Sequence, residues 1–208
     1  MTDSPECVFV IDDDSSLRKA LGRLLKSVGL RVEALASAEE FLQRPAPDGP
    51  ACVVLDVSMP GLSGMDLQCV LAERHWSLPI VFISGHGDIP MTVRAMKAGA
   101  VDFLPKPFHD EDLLAAVRQA LGRHARARRE ETESATLRQR TALLSPRERE
   151  VMALVVSGKP NKQSGHQLGV TEKTVKAHRA QVMSKMRAES LVDLVRMAQK
   201  LDSHPSHP

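Results

Sequence analysis

Acidic residues and one lysine stand at the ends of separate apolar runs in the first half of the chain. Asp12 and Asp13 follow the first run, Asp56 ends the third, and Lys106 follows the fifth. Carboxylates that share one crevice repel one another and need a cation, and an all-oxygen ligand set favours a hard ion such as Mg²⁺ or Mn²⁺. For Asp14, the next residue, we prefer the role of a helix N-cap.

These residues can meet only if the apolar runs form one sheet. The five runs are CVFVI, LRVEALA, ACVVLDV, PIVFIS and AVDFLP. Most lack polar alternation, which is typical of strands buried on both faces of a parallel sheet. Between them lie amphipathic segments, and the first has an apolar stripe of Leu17, Leu21, Leu24, Leu25 and Val28. Five such units predict a doubly wound α/β fold with its chemistry at the carboxyl ends of the strands.

Charge divides the 208 residues into an acidic front and a basic tail. Residues 1–122 contain 11 Lys and Arg against 17 Asp and Glu, whereas residues 143–208 contain 11 against 6. A chain of this length can bury two cores, and a basic tail favours a polyanionic partner. Residues 123–142 are rich in helix formers and lack Gly and Pro. We predict a solvated helical linker there.

Composition disfavours both a membrane-spanning protein and a protein held together by disulfides or zinc. No apolar stretch approaches the ~20 residues that span a bilayer, and MTDSPECVFV lacks a basic region before a hydrophobic run. We therefore expect a cytoplasmic protein without membrane contacts. Cys7, Cys52 and Cys69 are an odd number at unrelated spacings, so we expect reduced packing residues rather than a disulfide or a zinc set.

The tail carries the start and stop signals of four helices. The first begins with an N-cap, a first-turn proline and a capping box, supplied by Ser145, Pro146 and Glu148. The second runs from Asn161 to Gly169, and the third opens on Thr171 as N-cap. The fourth is expected to bury Leu191, Leu194, Val195 and Ala198. Two helices joined by a tight glycine turn predict a helix-turn-helix, whose second helix enters the major groove of double-stranded DNA.

Three segments of the front, VIDDD, VVLDVSMPGLSG and VFISGHGDIPMTVRAMKAGAVDFLPKPF, resemble the receiver domain of two-component response regulators. The phrases SGHGD and MKAGAVDF are close to its FixJ-like branch. The resemblance covers residues 6–122 and implies a flavodoxin-like receiver over residues 1–122. It implies that Asp56 takes a phosphoryl group from a cognate sensor histidine kinase. Asp13, Asp56 and the Ser58 backbone carbonyl would hold Mg²⁺, with Asp12 in the outer shell.

The same resemblance assigns roles to three further residues. Lys106 would stabilise the phosphoryl charge, and a cis peptide before Pro107 would aim its amine into the crevice. Ser84 would move to the phosphoryl group and Phe103 would turn inward, although Phe103 as a permanently buried core residue stays an alternative. His86 is expected to be a surface loop residue.

The tail segments LSPREREVMALVVSGKPNKQ, LGVTEKTVKAHRAQVMSKM and SLVDLV resemble the LuxR-type DNA-binding domain of NarL/FixJ regulators over residues 143–201. The resemblance implies two sets of DNA contacts. Base edges would be read by Lys176, Ala177 and Ala180. Phosphates would be held mainly by Thr171, Lys173, Thr174 and Arg179. His178 is expected to pack inward.

The tail departs from this family at Ser164 and Gly165, where relatives usually have Ile and Ala. Glycine inside a helix costs about 1 kcal/mol relative to alanine, and loss of a buried Ile side chain costs roughly 2–5 kcal/mol. We therefore predict a local packing defect, a tail that folds and binds DNA with reduced stability, and a gain in Tm when Ile and Ala are restored.

The combined prediction is a phosphorylation-controlled transcription factor and not an enzyme. The only reactions expected of it are self-phosphorylation from small donors and slow self-dephosphorylation. The helix DIPMTVRAMKAG would form a homodimer face after phosphorylation, and RNA polymerase is a candidate partner. One alternative is an aspartyl-phosphate hydrolase of the haloacid dehalogenase type, because Asp12 and Asp14 mimic its first-strand motif. The other is a signalling protein that acts through partner proteins because its DNA-binding tail is weakened.

Overall fold

The structure is a computed structural model that describes residues 5–85 and 89–203. Two compact units divide between Arg128 and Arg129. His86 lies outside the described residues. Within the described ranges, no helix is both long and apolar enough to cross a membrane.

The first unit is built on a five-stranded parallel sheet in the order β2-β1-β3-β4-β5. The strands are β1 (Cys7–Ile11), β2 (Arg31–Leu35), β3 (Ala51–Asp56), β4 (Ile80–Ser84) and β5 (Asp102–Pro105). Every residue of β1, β3 and β4 is buried, because helices cover both faces of a parallel sheet. This confirms the predicted doubly wound fold.

Helices cover the sheet on both faces. They are α1 (Ser15–Ser27), α2 (Ala38–Leu42), α3 (Gly64–Glu73), α4 (Ile89–Lys97) and α5 (Asp110–Ala142). One apolar cluster contains Phe9, Phe41 and Phe82, and the other contains Leu25 and Val54. Alternating residues of each strand contribute to opposite clusters, so both faces of the sheet are packed.

Two predictions about packing are wrong at single positions. Val28 ends the apolar stripe of α1 in the sequence, yet it is exposed because α1 stops at Ser27. Cys69 is exposed on α3, whereas Cys7 and Cys52 are buried as expected, and all three thiols are free. Cys69 is therefore not a packing residue.

Helix α5 continues without a break through the whole predicted linker. The expectation that this segment is solvated is wrong at several positions. His124 is buried, and its Nδ1 accepts a hydrogen bond of 2.8 Å from the backbone N–H of Ala51. Arg128 donates to the carbonyl oxygens of Pro47 and Asp48. Leu137 is buried in the core of the second unit.

The second unit contains four further helices, α6 (Pro146–Val156), α7 (Asn161–Leu168), α8 (Glu172–Met186) and α9 (Leu191–Ser203). Ser145 and Glu148 form the predicted capping box of α6, and Thr171 caps α8. The core includes Val151, Val155, Val175, Val182, Met186 and Leu194. Leu191 was expected in this core but is 38% exposed at the first position of α9.

Candidate phosphoacceptor site and DNA-binding surface

Three carboxylates meet at the carboxyl end of the sheet. Asp12 and Asp13 follow β1, and Asp56 ends the neighbouring strand β3. One oxygen from each of the three lies within 4.8 Å of the others. Asp12 is fully buried and Asp56 is 5% exposed, whereas Asp13 faces solvent. Asp14 is separate and caps α1 by accepting hydrogen bonds from the backbone N–H groups of Ser16 and Leu17, as predicted.

Lys106 brings one positive charge into this cluster. Its Nζ lies 2.8 Å from Oδ2 of Asp12 and 3.3 Å from Oδ1 of Asp56. The peptide bond between Lys106 and Pro107 is cis. Partial burial lowers the pKa of the Lys106 ammonium, but the hydrogen bond and charge of Asp12 and the charge of Asp56 outweigh it. The pKa of Lys106 is therefore raised, and the side chain stays protonated at neutral pH.

The environment of Asp56 is unfavourable for its own negative charge. Burial raises the pKa of its carboxyl group, the Lys106 charge acts in the opposite direction, and the Asp12 charge adds to the rise. Among the described residues, no hydrogen-bond donor is well aligned with Oδ1 of Asp56. Three carboxylates around a single ammonium leave excess negative charge, and all their ligand atoms are oxygens. The cluster therefore fits a divalent cation.

The remaining predicted residues of this site lie on the adjacent strands and loop. Ser84 ends β4 and is fully buried. Phe103 is half-buried on β5, with its ring centroid 6.1 Å from that of Phe82. Phe103 also packs against the apolar cluster that contains Phe9, Phe41 and Phe82, so its role as a switch and its role as a core residue both stay predictions. Ser58 is exposed in the loop that follows Asp56.

Two residues near this site were missed by the sequence analysis. Arg18 donates a 2.6 Å hydrogen bond from Nη1 to the carbonyl oxygen of Asp12 and so ties α1 to the β1–α1 loop. Gly64 opens α3, and a Cβ atom there would lie 2.3 Å from the carbonyl oxygen of Asp56. The only sequence signal was the second glycine of VSMPGLSG, and no signal marked Arg18.

In the second unit, α7 and α8 form a helix-turn-helix. The turn is made by Gly169, whose φ of 67° is left-handed. The N-cap Thr171 accepts a hydrogen bond from the backbone N–H of Thr174. All seven predicted DNA contacts lie on α8 or at its N-cap. Five of them, Thr171, Lys173, Lys176, Ala177 and Ala180, are exposed, and Thr174 and Arg179 are half-buried, as is His178.

Two side chains in the first turn of α6 form hydrogen bonds with both helices of this motif. The buried carboxylate of Glu148 accepts two hydrogen bonds from Nζ of Lys185, at 2.9 and 2.7 Å, near the end of α8. That contact lowers the pKa of Glu148. The neighbouring Arg147 donates to the carbonyl oxygen of Leu168 at the end of α7. The sequence predicted Glu148 as part of a capping box, but not this second role.

Lys176, the main predicted base reader, pairs with Glu172 one turn earlier at 2.9 Å. Both side chains are largely exposed, and such pairs contribute only about 0.3–0.5 kcal/mol. The pair therefore offers little resistance to a contact between Lys176 and a base.

The interpretation of Gly165 as a packing defect is wrong. A Cβ atom at this position would lie 2.8 Å from the carbonyl oxygen of Val170, which belongs to the turn before α8. A backbone atom cannot yield as a flexible side chain can, so an alanine at this position would force α7 and the turn to move apart. Ser164 is the unfavourable residue, because it is fully buried and its Oγ has no hydrogen-bond partner within residues 5–85 and 89–203.

We therefore expect opposite effects from two alanine substitutions. Ser164→Ala removes a buried, unpartnered hydroxyl and should raise the free energy of unfolding by about 1 kcal/mol. Gly165→Ala gains helix propensity but creates a backbone clash, and should lower it by about 1–2 kcal/mol. Thermal unfolding of the full chain followed by circular dichroism measures both. A higher Tm for Gly165→Ala would restore the packing-defect interpretation.

Fold and site together are typical of a regulator with a receiver domain and a helix-turn-helix output domain. Residues 8–118 match the family model of the response regulator receiver domain, and residues 142–198 match that of bacterial regulatory proteins of the luxR family. The chain belongs to the NarL/FixJ family of two-component response regulators.

Similar proteins extend over nearly the whole chain. Nodulation protein W of Bradyrhizobium diazoefficiens is 53% identical over 200 residues, covering 96% of this chain and 88% of that protein. The transcriptional regulatory protein FixJ of Azorhizobium caulinodans is 47% identical over 191 residues, covering 92% and 90%. The solved structure of the response regulator StyR superposes with a TM-score of 0.86 at 46% identity, covering 95% of this chain and 100% of that one.

These similarities decide between the interpretations of the sequence. The protein is a response regulator with receiver and LuxR-type DNA-binding domains, and named relatives are transcriptional regulators. The family is one of regulators rather than hydrolases, and Asp14 serves as a helix cap instead of completing a first-strand catalytic pair. The interpretation as a DNA-binding regulator is supported over the one that acts only through partner proteins.

Proposed function

We propose that this protein is a transcription factor whose DNA binding is promoted by phosphorylation of Asp56 by a sensor histidine kinase. The observation that carries the proposal is the buried Asp56 carboxylate beside Lys106, in the same chain as an exposed recognition helix. We assign residues 1–122 to the receiver, 123–142 to a helical linker and 143–208 to the DNA-binding domain. The protein would bind both the kinase and DNA in the cytoplasm.

In the proposed reaction, an oxygen of Asp56 attacks the phosphorus of a phosphohistidine and forms an acyl phosphate as the phosphorus–nitrogen bond breaks. The imidazole is the leaving group. Lys106 lies 3.3 Å from Oδ1 of Asp56 and is placed to pair with a phosphoryl oxygen. Small donors such as acetyl phosphate would react in the same way, and slow hydrolysis of the acyl phosphate would reset the protein.

We further propose that Asp13, Asp56 and the backbone carbonyl of Ser58 hold Mg²⁺ or Mn²⁺, with Asp12 in the outer shell. When bound, the ion supplies positive charge that neutralises the carboxylates and the entering phosphoryl oxygens. Asp12 accepts a hydrogen bond from Lys106 at 2.8 Å, so it also orients the ammonium.

Ser84 and Phe103 are the proposed switch between the two states. Ser84 ends β4, which lies next to the strand that carries Asp56. Phe103 lies on β5, next to β4, and its ring is half-buried. A movement of Ser84 toward the phosphoryl group would leave space beside β4, and the ring of Phe103 would turn inward to fill it.

Helix α4 is the proposed homodimer face. Ile89, Val93 and Met96 are 81%, 44% and 42% exposed, and their spacing places them along one side of the helix. An exposed apolar stripe of this kind supports association between two phosphorylated molecules. A dimer would present two recognition helices to DNA, and RNA polymerase is a further proposed contact.

The test is a footprint of the phosphorylated protein across its own genomic neighbourhood. We expect protected sites that Lys176→Ala weakens by about fivefold or more, because one good base contact contributes roughly 1–3 kcal/mol. Lys26→Ala, which removes an exposed lysine from α1, is the matched control and should leave protection unchanged. Absence of protection at moderate salt would favour action through partner proteins.

A further inference from the structure

Helix α1 is strongly basic within an acidic domain. Residues 1–122 contain 17 acidic against 11 basic side chains, yet Ser15–Ser27 contains four cations and no acidic residue. Those cations are Arg18, Lys19, Arg23 and Lys26. The proposed phosphoryl transfer uses none of them, so their clustering on one helix needs a separate account.

The four cations line a groove between α1 and β2. Its volume is about 500 Å³, and its other lining residues are Ser15, Gly22, Val32 and Ala34. No carboxylate belongs to this lining within the described part of the chain. Lys19, Arg23 and Lys26 are exposed, so their charges are available to a ligand in the groove.

Gly22 keeps the middle of this groove open. It lies inside α1, where glycine destabilises a helix by about 1 kcal/mol relative to alanine. An added Cβ atom would have no neighbour within 4 Å among the described residues. No packing contact within the unit therefore explains the glycine, whereas a ligand that approaches the helix backbone would.

The floor of the groove is the edge of the sheet. Strand β2 is the first in the strand order and pairs only with β1 among the strands of the described residues. Its outer edge offers backbone N–H and C=O groups to a further strand. Val32 and Ala34 alternate along it on the side that faces α1.

We propose that this groove binds an extended, acidic segment of a partner protein, which adds to the sheet beside β2. Its backbone pairs with the open edge, and alternate carboxylates meet Lys19, Arg23 and Lys26. A peptide fits better than a nucleic acid because only a peptide backbone can complete a β edge.

The experiment uses the full-length unphosphorylated protein and a short fluorescein-labelled peptide of alternating Glu and Val. Fluorescence anisotropy should show binding that weakens with salt. A Lys-Val peptide of equal length, the Glu-Val peptide with N-methylated backbone groups, and a single-stranded oligonucleotide of equal charge should bind at least about tenfold more weakly.

Variants of the protein locate the binding site. Arg23→Gln with Lys26→Gln should weaken Glu-Val peptide binding by about fivefold to tenfold, as expected for loss of two partly exposed ion pairs. Gly22→Gln should block the groove while leaving Tm unchanged or higher, because glutamine favours a helix more than glycine does. Arg118→Gln with Arg126→Gln on α5 removes the same charge from two exposed positions elsewhere and should have no effect.

Three results would overturn the proposal. The first is that the Glu-Val peptide does not bind. The second is that the groove variants bind this peptide as well as the wild type does. The third is that the oligonucleotide or the N-methylated peptide binds as well as the Glu-Val peptide. The last result would show a charge-only surface instead of an added strand.

Discussion

Asparagine in place of Asp56 is expected to abolish phosphorylation of the protein by acetyl phosphate. The amide keeps the shape of the side chain but removes the attacking oxygen. Asp12 is fully buried and already accepts a hydrogen bond from Lys106, so it is not expected to substitute. The measurement is incorporation of labelled phosphate in the presence of Mg²⁺, compared with wild type, and omission of the ion should also reduce incorporation.

Asp14→Asn is the matched control for that experiment. Asn caps helices about as well as Asp, so this variant should fold normally and incorporate phosphate at the wild-type rate. Equal incorporation by Asp56→Asn and wild type would contradict the assignment of Asp56. Loss of incorporation in Asp14→Asn alone would instead indicate a nucleophile after the first strand.

The stability of Asp56→Asn provides a second readout. Burial raises the pKa of this carboxyl group, so its ionisation destabilises the folded state once the pH exceeds the unfolded pKa. In buffer without divalent ions at neutral pH, the neutral amide should therefore give a Tm equal to or above that of wild type. A lower Tm would mean that the carboxylate stabilises the loop around it.

The meeting of Asp12, Asp13, Asp56 and Lys106 could be predicted because it follows from topology. Uninterrupted apolar runs indicate parallel strands buried on both faces, and the carboxyl ends of such strands share one edge of the sheet. Residue type and position relative to a strand then suffice to place a side chain. The same logic placed Ser84 and Phe103 on strands adjacent to the site.

Gly165 could not be interpreted correctly from sequence because average helix propensities contain no distances between segments. The penalty for glycine assumes that an alanine side chain would fit, whereas the carbonyl oxygen of Val170 occupies that space. The predictions that the segment containing Leu137 is solvated and that Leu191 is buried are wrong for a related reason. Whether an apolar residue of an amphipathic helix is buried depends on which helix packs against it, and periodicity alone does not supply the neighbour.

Gly64→Ala is expected to damage both the stability of the receiver unit and its phosphorylation. The added methyl group would lie 2.3 Å from the carbonyl oxygen of Asp56 and 3.0 Å from Cα of Val57. Both are backbone atoms, so the loop between β3 and α3 must move. We expect a loss of about 3 kcal/mol in the free energy of unfolding, or about 10 °C in Tm. Acetyl phosphate should also react more slowly, because that loop carries Ser58 and follows Asp56 directly.

Gly122→Ala separates this effect from the general effect of alanine in a helix. Gly122 lies inside α5 with no atom within 4 Å of an added Cβ among the described residues, so alanine there should stabilise the protein by up to about 1 kcal/mol. Opposite shifts in Tm for the two glycines would identify the contact with Asp56 as the cause. If Gly64→Ala were as stable and as reactive as wild type, the loop would be able to move away from Asp56 at little cost, and the close approach would not be what positions the phosphoacceptor.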